Sequence, residues 1–570
     1  MFAKFEQAVL KGVQSKTQRK FIILGTIVGL ILSVMMIPTE IVLAKMLPGK
    51  NNDTFNIYVK LPNGSSIEQT NSVTNCVVSI VQKEKEVTDL EVFLGMGSPL
   101  DFAGLIKGSQ FKNSENVAEI VLNLTKKHER EEPSYMMVQR MRPVVQNSCQ
   151  PIVEGTDISF VEPPAGPPTM AAIVAEIYGG DADGIRKLAS KVENIFKKTS
   201  GLVDVDVMED TIYDTFDIKV NPEKAARSGV GIKQINDIMY IAFEGMDIAV
   251  KNSPRYNDQI PIFLSLSNDS KRFTKKDLDA LQAKLSSLKL MNKNGMMVPI
   301  TELVTIEATK SNPGVMSKDL HQMTNVMAET DMVSQVYPLL DARSEILKEL
   351  SNEYEIIKTG LFDLELKDKQ NGNIYDLKWD GEMKVTLDTF RDLGGAFIAA
   401  LVLIFLLMVV YYKSYTLSGI ILVGSFLSII GVIVGHWIMN IFTTDTFFLT
   451  ATSLIGFIAL IGISSRNSLL LIDFTKSLMH DKGMHKAEAI AYATATRAKP
   501  IFLTATAIIL ASTLLAGDAV FGGLGVSLIF GTIAAVIASL IVVPVLLYNA
   551  DLEKHFHFHE KKAVSIADPL

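Results

Sequence analysis

The sequence predicts a membrane α-helical protein with six transmembrane helices and a large water-soluble α+β region of repeated ferredoxin-like (split βαβ) subdomains. Three observations carry this. Apolar residues gather in one block from about residue 21 and in a run of blocks after residue 393, each near the ~20 residues a helix needs to cross a bilayer. Residues 47–392 contain no such block. Within that stretch, short alternating apolar runs and runs of helical period follow one another in strand–helix–strand order.

Charged residues make up 21% of the 570-residue chain and apolar ones 48%, and 55 Lys+Arg against 62 Asp+Glu give a formal net charge of −7. Mild acidity without a dense basic block argues against a nucleic-acid partner. The apolar content excludes a disordered chain, and two cysteines exclude a disulfide framework.

Residues 1–20 read as an amphipathic helix on the cytoplasmic surface, with Phe2, Phe5, Val9 and Val13 opposite Lys4, Lys11 and Lys16. Residues 21–46 form the first transmembrane helix; the stretch is long for a signal peptide and lacks a clean small-residue cleavage site. In the soluble part, Phe55, Ile57 and Val59 alternate as a strand does, and Pro62-Asn63-Gly64 marks a turn. Ser65 and Glu68 form a capping box for a helix whose face is Val73, Val77, Ile80 and Val81. Further strands fall at about 90–93, at Ile120, Leu122 and Leu124, at 172–178, and at Val203, Val205 and Val207. A helix carrying Ile185, Leu188, Val192, Ile195 and Phe196 lies between the last two. A third set holds Phe216, Ile218 and Val220, then Ile260, Ile262, Leu264 and Leu266.

From 393 to 550, Leu393–Tyr412, Leu417–Val434, Phe447–Ile472, Pro500–Ala516 and about Leu524–Leu547 are the remaining five spans. The cations at Lys11, Lys16, Arg19 and Lys20, at Lys413, between Lys476 and Lys499, and in the tail from Lys554 fall on one side. The positive-inside rule makes that side cytoplasmic. Both termini, including the tail 551–570, are then cytoplasmic, and 47–392 lies outside.

The residues with chemistry cluster in the spans. Arg466 is the sole charge between Phe447 and Ile472. A guanidinium at membrane depth is costly unless it faces a partner or a water-filled cavity. The other reading is a side chain snorkelling to the cytoplasmic side, where Asp473 lies roughly 10 Å of helix rise away. Asp473 reads as an interfacial carboxylate. Thr504 in a membrane helix ordinarily satisfies a backbone carbonyl, and Arg497 and Lys499 are ordinary positive-inside residues. Gly525, Ser527 and Gly531 suit close helix packing. The soluble part shows no nucleophile–base pair, no metal-ligand spacing and no cofactor motif, so an enzyme is not expected.

Several segments together carry a family resemblance. Met46-Leu-Pro48 with Phe55–Gly64, then Glu162–Pro168, Gly201–Val205, Val220–Gly229, Trp379-Asp-Gly-Glu382, Gly462–Phe474, Arg497–Thr504 and Gly531–Pro544 stand in order along the chain. In order and spacing they resemble the C-terminal half of a resistance-nodulation-division (RND) efflux transporter of the hydrophobe/amphiphile exporter type. The resemblance implies a proton-driven, trimeric inner-membrane pump that works with a periplasmic adaptor and an outer-membrane channel. It makes 47–392 the periplasmic porter and docking subdomains, with docking at about 214–310. It assigns Arg466, Asn467, Thr504 and Arg497 to the proton relay. Arg466 stands where the family usually has lysine, and arginine does not give up its proton. It can serve as a fixed counter-cation for a carboxylate.

The family's paired aspartates belong to its N-terminal half, and no spanning segment here holds an Asp-Asp pair. The expectation is therefore a half-subunit that cannot pump alone, with an N-terminal-half partner chain supplying the aspartates. Met1 ahead of the amphipathic helix, near where the family's halves join, favours a natural split. The segment Phe93–Gly108 resembles the family's glycine-rich switch loop, with Phe93, Met96, Leu100 and Phe102 as apolar contacts for an amphiphile; an ordinary surface loop is the alternative. Heavy-metal substrates are the weaker option. Cys76 and Cys149 could pair outside the cytoplasm or remain buried thiols, and His555, His557 and His559 read as a solvated tail. The rival reading of the whole chain is a non-transporting, ligand-binding or scaffold membrane protein derived from such a half.

Overall fold

The computed structural model describes residues 2–46, 51–99, 104–105, 112–163, 169–256, 259–271, 278–331, 334–443, 446–518 and 520–552. Leu100, Phe102 and the tail histidines lie outside them. The backbone divides into two units: 1–61, 66–208 and 316–570 form the first, and 62–65 with 209–315 the second.

Within the first unit, the helix Phe2–Gln14 buries Val13 and sets Phe2 edge-on to Tyr492, ring centroids 5.8 Å apart. Among the described residues, six helices are long and apolar enough to cross a membrane: Lys16–Met35, Glu382–Tyr412, Tyr415–Phe442, Ala451–Asp481, Lys486–Ala516 and Gly522–Asn549. Ser15 caps the first, and residues 36–46 continue beyond it without helix. The last passes through a π-helical turn at Ala538–Val542. Small residues let these helices approach: Ser527 lies against Gly456, and Gly531 against Leu460.

The first sheet has four strands, β1 (Thr54–Lys60), β2 (Val87–Leu94), β3 (Val117–Leu124) and β4 (Asp157–Val161), in the spatial order β2-β3-β1-β4. All neighbours are antiparallel. Alternation sends Phe55, Ile57, Val59, Ile120, Leu122, Ile158 and Phe160 to one face, where helices Ile67–Val81 and Ser134–Cys149 bury them. Ser66 and Gln69 form the capping box of the first helix, one residue after the Ser65–Glu68 position expected from sequence. The Pro inside the second helix, Pro143, is tolerated within it. Cys76 and Cys149, one on each helix, are joined in a disulfide, so of the two states open to them the paired one is found.

The chain continues through β5 (Ile173–Gly179) and β6 (Leu202–Val207). The second unit then holds β7 (Asp214–Val220), β8 (Met246–Lys251), β9 (Ile260–Leu264), β10 (Lys289–Met291), β11 (Met297–Pro299) and β12 (Val304–Lys310). There β7 pairs with β12, and a small core forms from Ala225, Val230, Ile235, Ile300, Leu303 and Val304. Both strands of its β8–β9 hairpin are exposed. Back in the first unit, β13 (Met316–Lys318), β14 (His321–Thr330), β15 (Tyr354–Lys358), β16 (Leu364–Asp368) and β17 (Ile374–Asp380) complete a seven-stranded sheet. Its order is β13-β14-β5-β17-β16-β15, with β6 also on β14. Its core is closed by helices Ala182–Lys198 and Val336–Glu349 through Leu188, Val192, Phe196, Leu339 and Ile346.

Candidate functional site

Two places concentrate polar groups that folding alone does not require. The first lies midway along the Ala451–Asp481 helix. Its inner side is buried through Ser464, Ser465, Asn467 and Ser468, and Ser425 and Ser465 hydroxyls share a hydrogen bond of 3.0 Å. Over 451–470 its exposed residues are Ile455, Ala459, Gly462, Arg466 and Leu470, spaced as a single stripe at helical period. Arg466 is thus the charged member of a face that the chain's own helices leave open, and no described carboxylate pairs with it. It lies fifteen residues from either end of the helix, and seven residues, roughly 10 Å of rise, from Asp473.

The other relay candidates are dispersed. Asn467 is buried beside Arg466. Thr504 is exposed and donates to its own helix, to Pro500 O at 3.1 Å and Ile501 O at 3.0 Å. Arg497 is half-buried, with its guanidinium over the Phe474 ring at 5.1 Å. No hydrogen bond or ion pair joins any two of the four. Asp473, read from sequence as an interfacial carboxylate, is half-buried and accepts a 2.7 Å hydrogen bond from the Tyr412 hydroxyl.

The second place is the helix-free face of the first sheet. Register sets Glu119 of β3 opposite Tyr58 of β1 on one side and Phe93 of β2 on the other, so the three side chains form a row across the sheet. Glu119 is fully buried. A buried carboxylate needs donors and a counter-charge. Asn56 Nδ2 donates to Oε1 at 2.6 Å, Ser98 Oγ to Oε1 at 2.9 Å and Ser98 N to Oε2 at 3.0 Å. The Lys112 ammonium is 3.9 Å from Oε2 and rests over the Tyr58 ring. Of the apolar contacts expected here, Phe93 is half-buried in the row and Met96 is exposed. Sequence reading passed over Glu119, although it interrupts the apolar run Val117-Ala-Glu-Ile-Val-Leu122.

Helices of membrane-crossing length and composition together with two α-plus-sheet layers are the build of a multi-pass membrane protein. The sequence profile of the AcrB/AcrD/AcrF family matches residues 1–551, and the chain belongs to that family of RND efflux transporters. It is 22% identical to the multidrug export protein AcrF of Escherichia coli (strain K12) over 94% of this chain and 48% of that protein. To the swarming motility protein SwrC of Bacillus subtilis (strain 168) it is 24% identical over 65% of this chain and 32% of that one. The cobalt-zinc-cadmium resistance protein CzcA of Cupriavidus metallidurans is 22% identical over 66% of this chain and 33% of its own length. The fold matches the crystal structure of a heavy metal efflux pump with a TM-score of 0.71 at 18% identity, covering 95% of this chain and 52% of that one. The chain spans about half the length of the pumps it matches along its full extent.

Proposed function

We propose that the chain is the C-terminal half-subunit of a proton-driven RND pump that exports hydrophobic or amphiphilic compounds. A partner chain supplies the N-terminal half, and with it membrane carboxylates for Arg466. The observation that carries this reading is the Arg466 stripe. A guanidinium held midway along a membrane helix, on a face its own chain leaves open, calls for an anionic partner arriving from outside the chain. Because arginine keeps its proton, the partner carboxylate does the titrating, paired with Arg466 when ionised and released when protonated. Asn467, Thr504 and Arg497 belong to the same relay.

In this reading the pump is trimeric in the inner membrane and engages a periplasmic adaptor and an outer-membrane channel, with 47–392 periplasmic and both termini cytoplasmic. The order β2-β3-β1-β4 of the first sheet supports the split βαβ description of its porter region. Amphiphiles are favoured over metal ions because donors from Asn56 and Ser98 and the Lys112 ammonium already take up the Glu119 carboxylate.

The test is dye efflux from a pump-deficient cell expressing this chain with a matching N-terminal half. Export that needs both chains and stops when the proton gradient is collapsed supports the reading, and Arg466→Leu abolishes it. Full export by this chain alone, or by the Arg466→Leu pair, refutes it.

A further inference from the structure

The open stripe on the Ala451–Asp481 helix does not stop at Arg466. Steps of three and four residues carry it past Leu470 to Asp473, half-buried at its edge, and on to exposed Ser477. Seven residues fall within about 20° of two full turns, so Arg466 and Asp473 lie nearly in line along the helix, and depth is what separates them. Arg466 is fifteen residues on from Ala451, about 22 Å of rise. Asp473 is twenty-two residues on, about 33 Å, where a hydrocarbon core of ~30 Å has ended. No ion pair joins the two. The Asp473 carboxylate is held instead by a neutral donor, the Tyr412 hydroxyl at 2.7 Å, and among the described residues no cation forms an ion pair with it. Other titratable or charged groups stand at this end of the elements packed against it. They are Tyr411 and Lys413 beside Tyr412, Tyr415 on the next helix, Tyr492 and Arg497 on the Lys486–Ala516 helix, and Lys476 on its own. An ion pair would favour the charged acid; a hydroxyl orients the carboxylate and leaves it able to take and give a proton. Tyr412 is itself 6% exposed and packs among Val13, Leu417, Leu471 and Leu547, so its hydroxyl is a fixed donor.

We propose that Asp473 is the proton-release group of this membrane half, with Tyr412 as its positioning residue. Its role in export rests on the transporter reading above, in which a carboxylate of the partner chain meets Arg466. The protonated partner acid gives its proton to water lying along the stripe, and that water passes a proton to the Asp473 carboxylate, where an O–H bond forms. The partner, anionic again, pairs with Arg466. Asp473 then gives the proton to bulk water beyond the membrane edge and returns to the carboxylate. One proton has moved and no group is left changed. Without Asp473 the proton must cross from membrane depth to bulk water with no fixed acceptor on the way.

Asp473→Asn separates a proton carrier from a packing contact, because the amide still accepts from the Tyr412 hydroxyl and only the titrating group is lost. In proteoliposomes holding the paired halves, Asp473→Asn is expected to slow proton-driven dye export about a hundredfold, the low end of what a positioned proton acceptor contributes. Azide, a small weak base that carries protons in place of the missing side chain, should restore most of the rate, and Asp473→Glu should restore it without azide. Infrared spectra of this chain in lipid nanodiscs read the acid without transport. The carboxyl stretch of protonated Asp473, absent from Asp473→Asn, should move when Tyr412→Phe removes the hydroxyl. Melting curves establish that each variant folds; should Asp473→Asn not fold, Asp473→Ser with azide gives the same reading. Two results overturn the proposal while export by the wild-type pair stands: a wild-type rate and pH profile in Asp473→Asn, or a slowed Asp473→Asn that azide does not restore. A carboxyl stretch that Tyr412→Phe leaves in place removes Tyr412 from the assignment. No proton-driven export by the wild-type pair refutes the transporter reading, and the release role falls with it.

Discussion

Where the two large sheets meet, four carboxylates face two cations, and this predicts a pH-dependent seam. Strand β4 of the first sheet runs beside β6 of the second. Asp157 lies opposite Lys60 in register, and Lys60 Nζ donates to Asp206 Oδ1 at 2.7 Å. Asp204 accepts from Arg142 Nε at 3.1 Å, Phe160 N at 3.3 Å and Gln146 Nε2 at 3.3 Å. Arg142 also reaches Asp331 at 3.0 Å. Burial, then the charges of Asp206 and Asp204, push the Asp157 carboxyl up to about 7 against the pull of Lys60 and Lys197. Burial likewise raises Asp204 to about 6, against Arg142 and with Glu329 adding to the rise. Both values lie above the ordinary 3.8, so the folded chain holds protons that the unfolded chain releases. Stability is then greatest below about pH 4 and is lost as pH rises through about 7. At about 1.4 kcal/mol per pH unit, the Asp157 contribution between pH 5 and 7 approaches 3 kcal/mol, and its solvent-touching edge reduces this to about 2 kcal/mol. Asp157→Asn mimics the protonated acid and should flatten the dependence. The assay is hydrogen exchange of the β4 and β6 amides, corrected for intrinsic rates, at pH 5 and pH 8. Wild-type protection should fall at pH 8 by at least about 30-fold, the equivalent of 2 kcal/mol from Asp157, while Asp157→Asn should lose that part and keep only the smaller fall that Asp204 contributes. Equal pH dependence in both proteins, or greater wild-type protection at pH 8, would refute the argument.

Two further outcomes concern the soluble region. The Cys76–Cys149 disulfide spans a sequence separation of 73; closing so long a loop restricts the unfolded chain by about 4 kcal/mol, so reduction or the double Cys→Ser variant should lower the melting temperature of this region by well over 5 °C. An unchanged melting curve under reductant would show that the pair contributes nothing. Gly381 joins β17 to the Glu382–Tyr412 helix with φ at +86°, and an added Cβ would lie 2.7 Å from Ala171 O. Gly381→Ala should cost about 1–3 kcal/mol, read by thermal denaturation, and a neutral effect would mean that the junction relaxes freely.

Local periodicity carried much of the fold. Phe55, Ile57 and Val59 alternate in sequence and are buried in the structure, and Ile185, Leu188, Val192, Ile195 and Phe196 form the buried face of their helix. Charge depletion marked the spans, though not their ends: the Glu382–Tyr412 helix starts well before the apolar run at 393, because Glu382, Met383, Lys384, Leu387 and Arg391 are good helix formers whether or not they are apolar. The row at Glu119 was illegible for a different reason. Its partners come from positions 56, 58, 93, 98 and 112, and sheet register, set by long-range pairing, brings them together. The same limit applies to Asp157, which looks like an ordinary surface acid until β6 is laid beside it. Arg466 was conspicuous in sequence as a lone charge, but which way it faces depends on which sides of its helix the neighbouring helices occupy.

That orientation bears on how the membrane half works. The inner side of the Ala451–Asp481 helix is packed tightly enough that Gly531 meets Leu460 directly and Ser527 meets Gly456, so the helix cannot rotate to bring Arg466 inward without breaking its closest contacts. The open stripe also mixes Gly462 and Ala459 with the guanidinium. Small residues one and two turns before a charge suit the close approach of another helix, whereas lipid tails would leave the charge unmet. A carboxylate brought to this stripe would be held against a cation that cannot titrate away, and its protonation would therefore change the attraction between the two helices directly. Replacing Arg466 with lysine would make the cation itself able to lose its proton when desolvated. In the paired pump, Arg466→Lys should keep export but move its pH profile, while Arg466→Leu should abolish it; identical pH profiles for arginine and lysine would mean that the charge at this position is not what couples proton to helix movement.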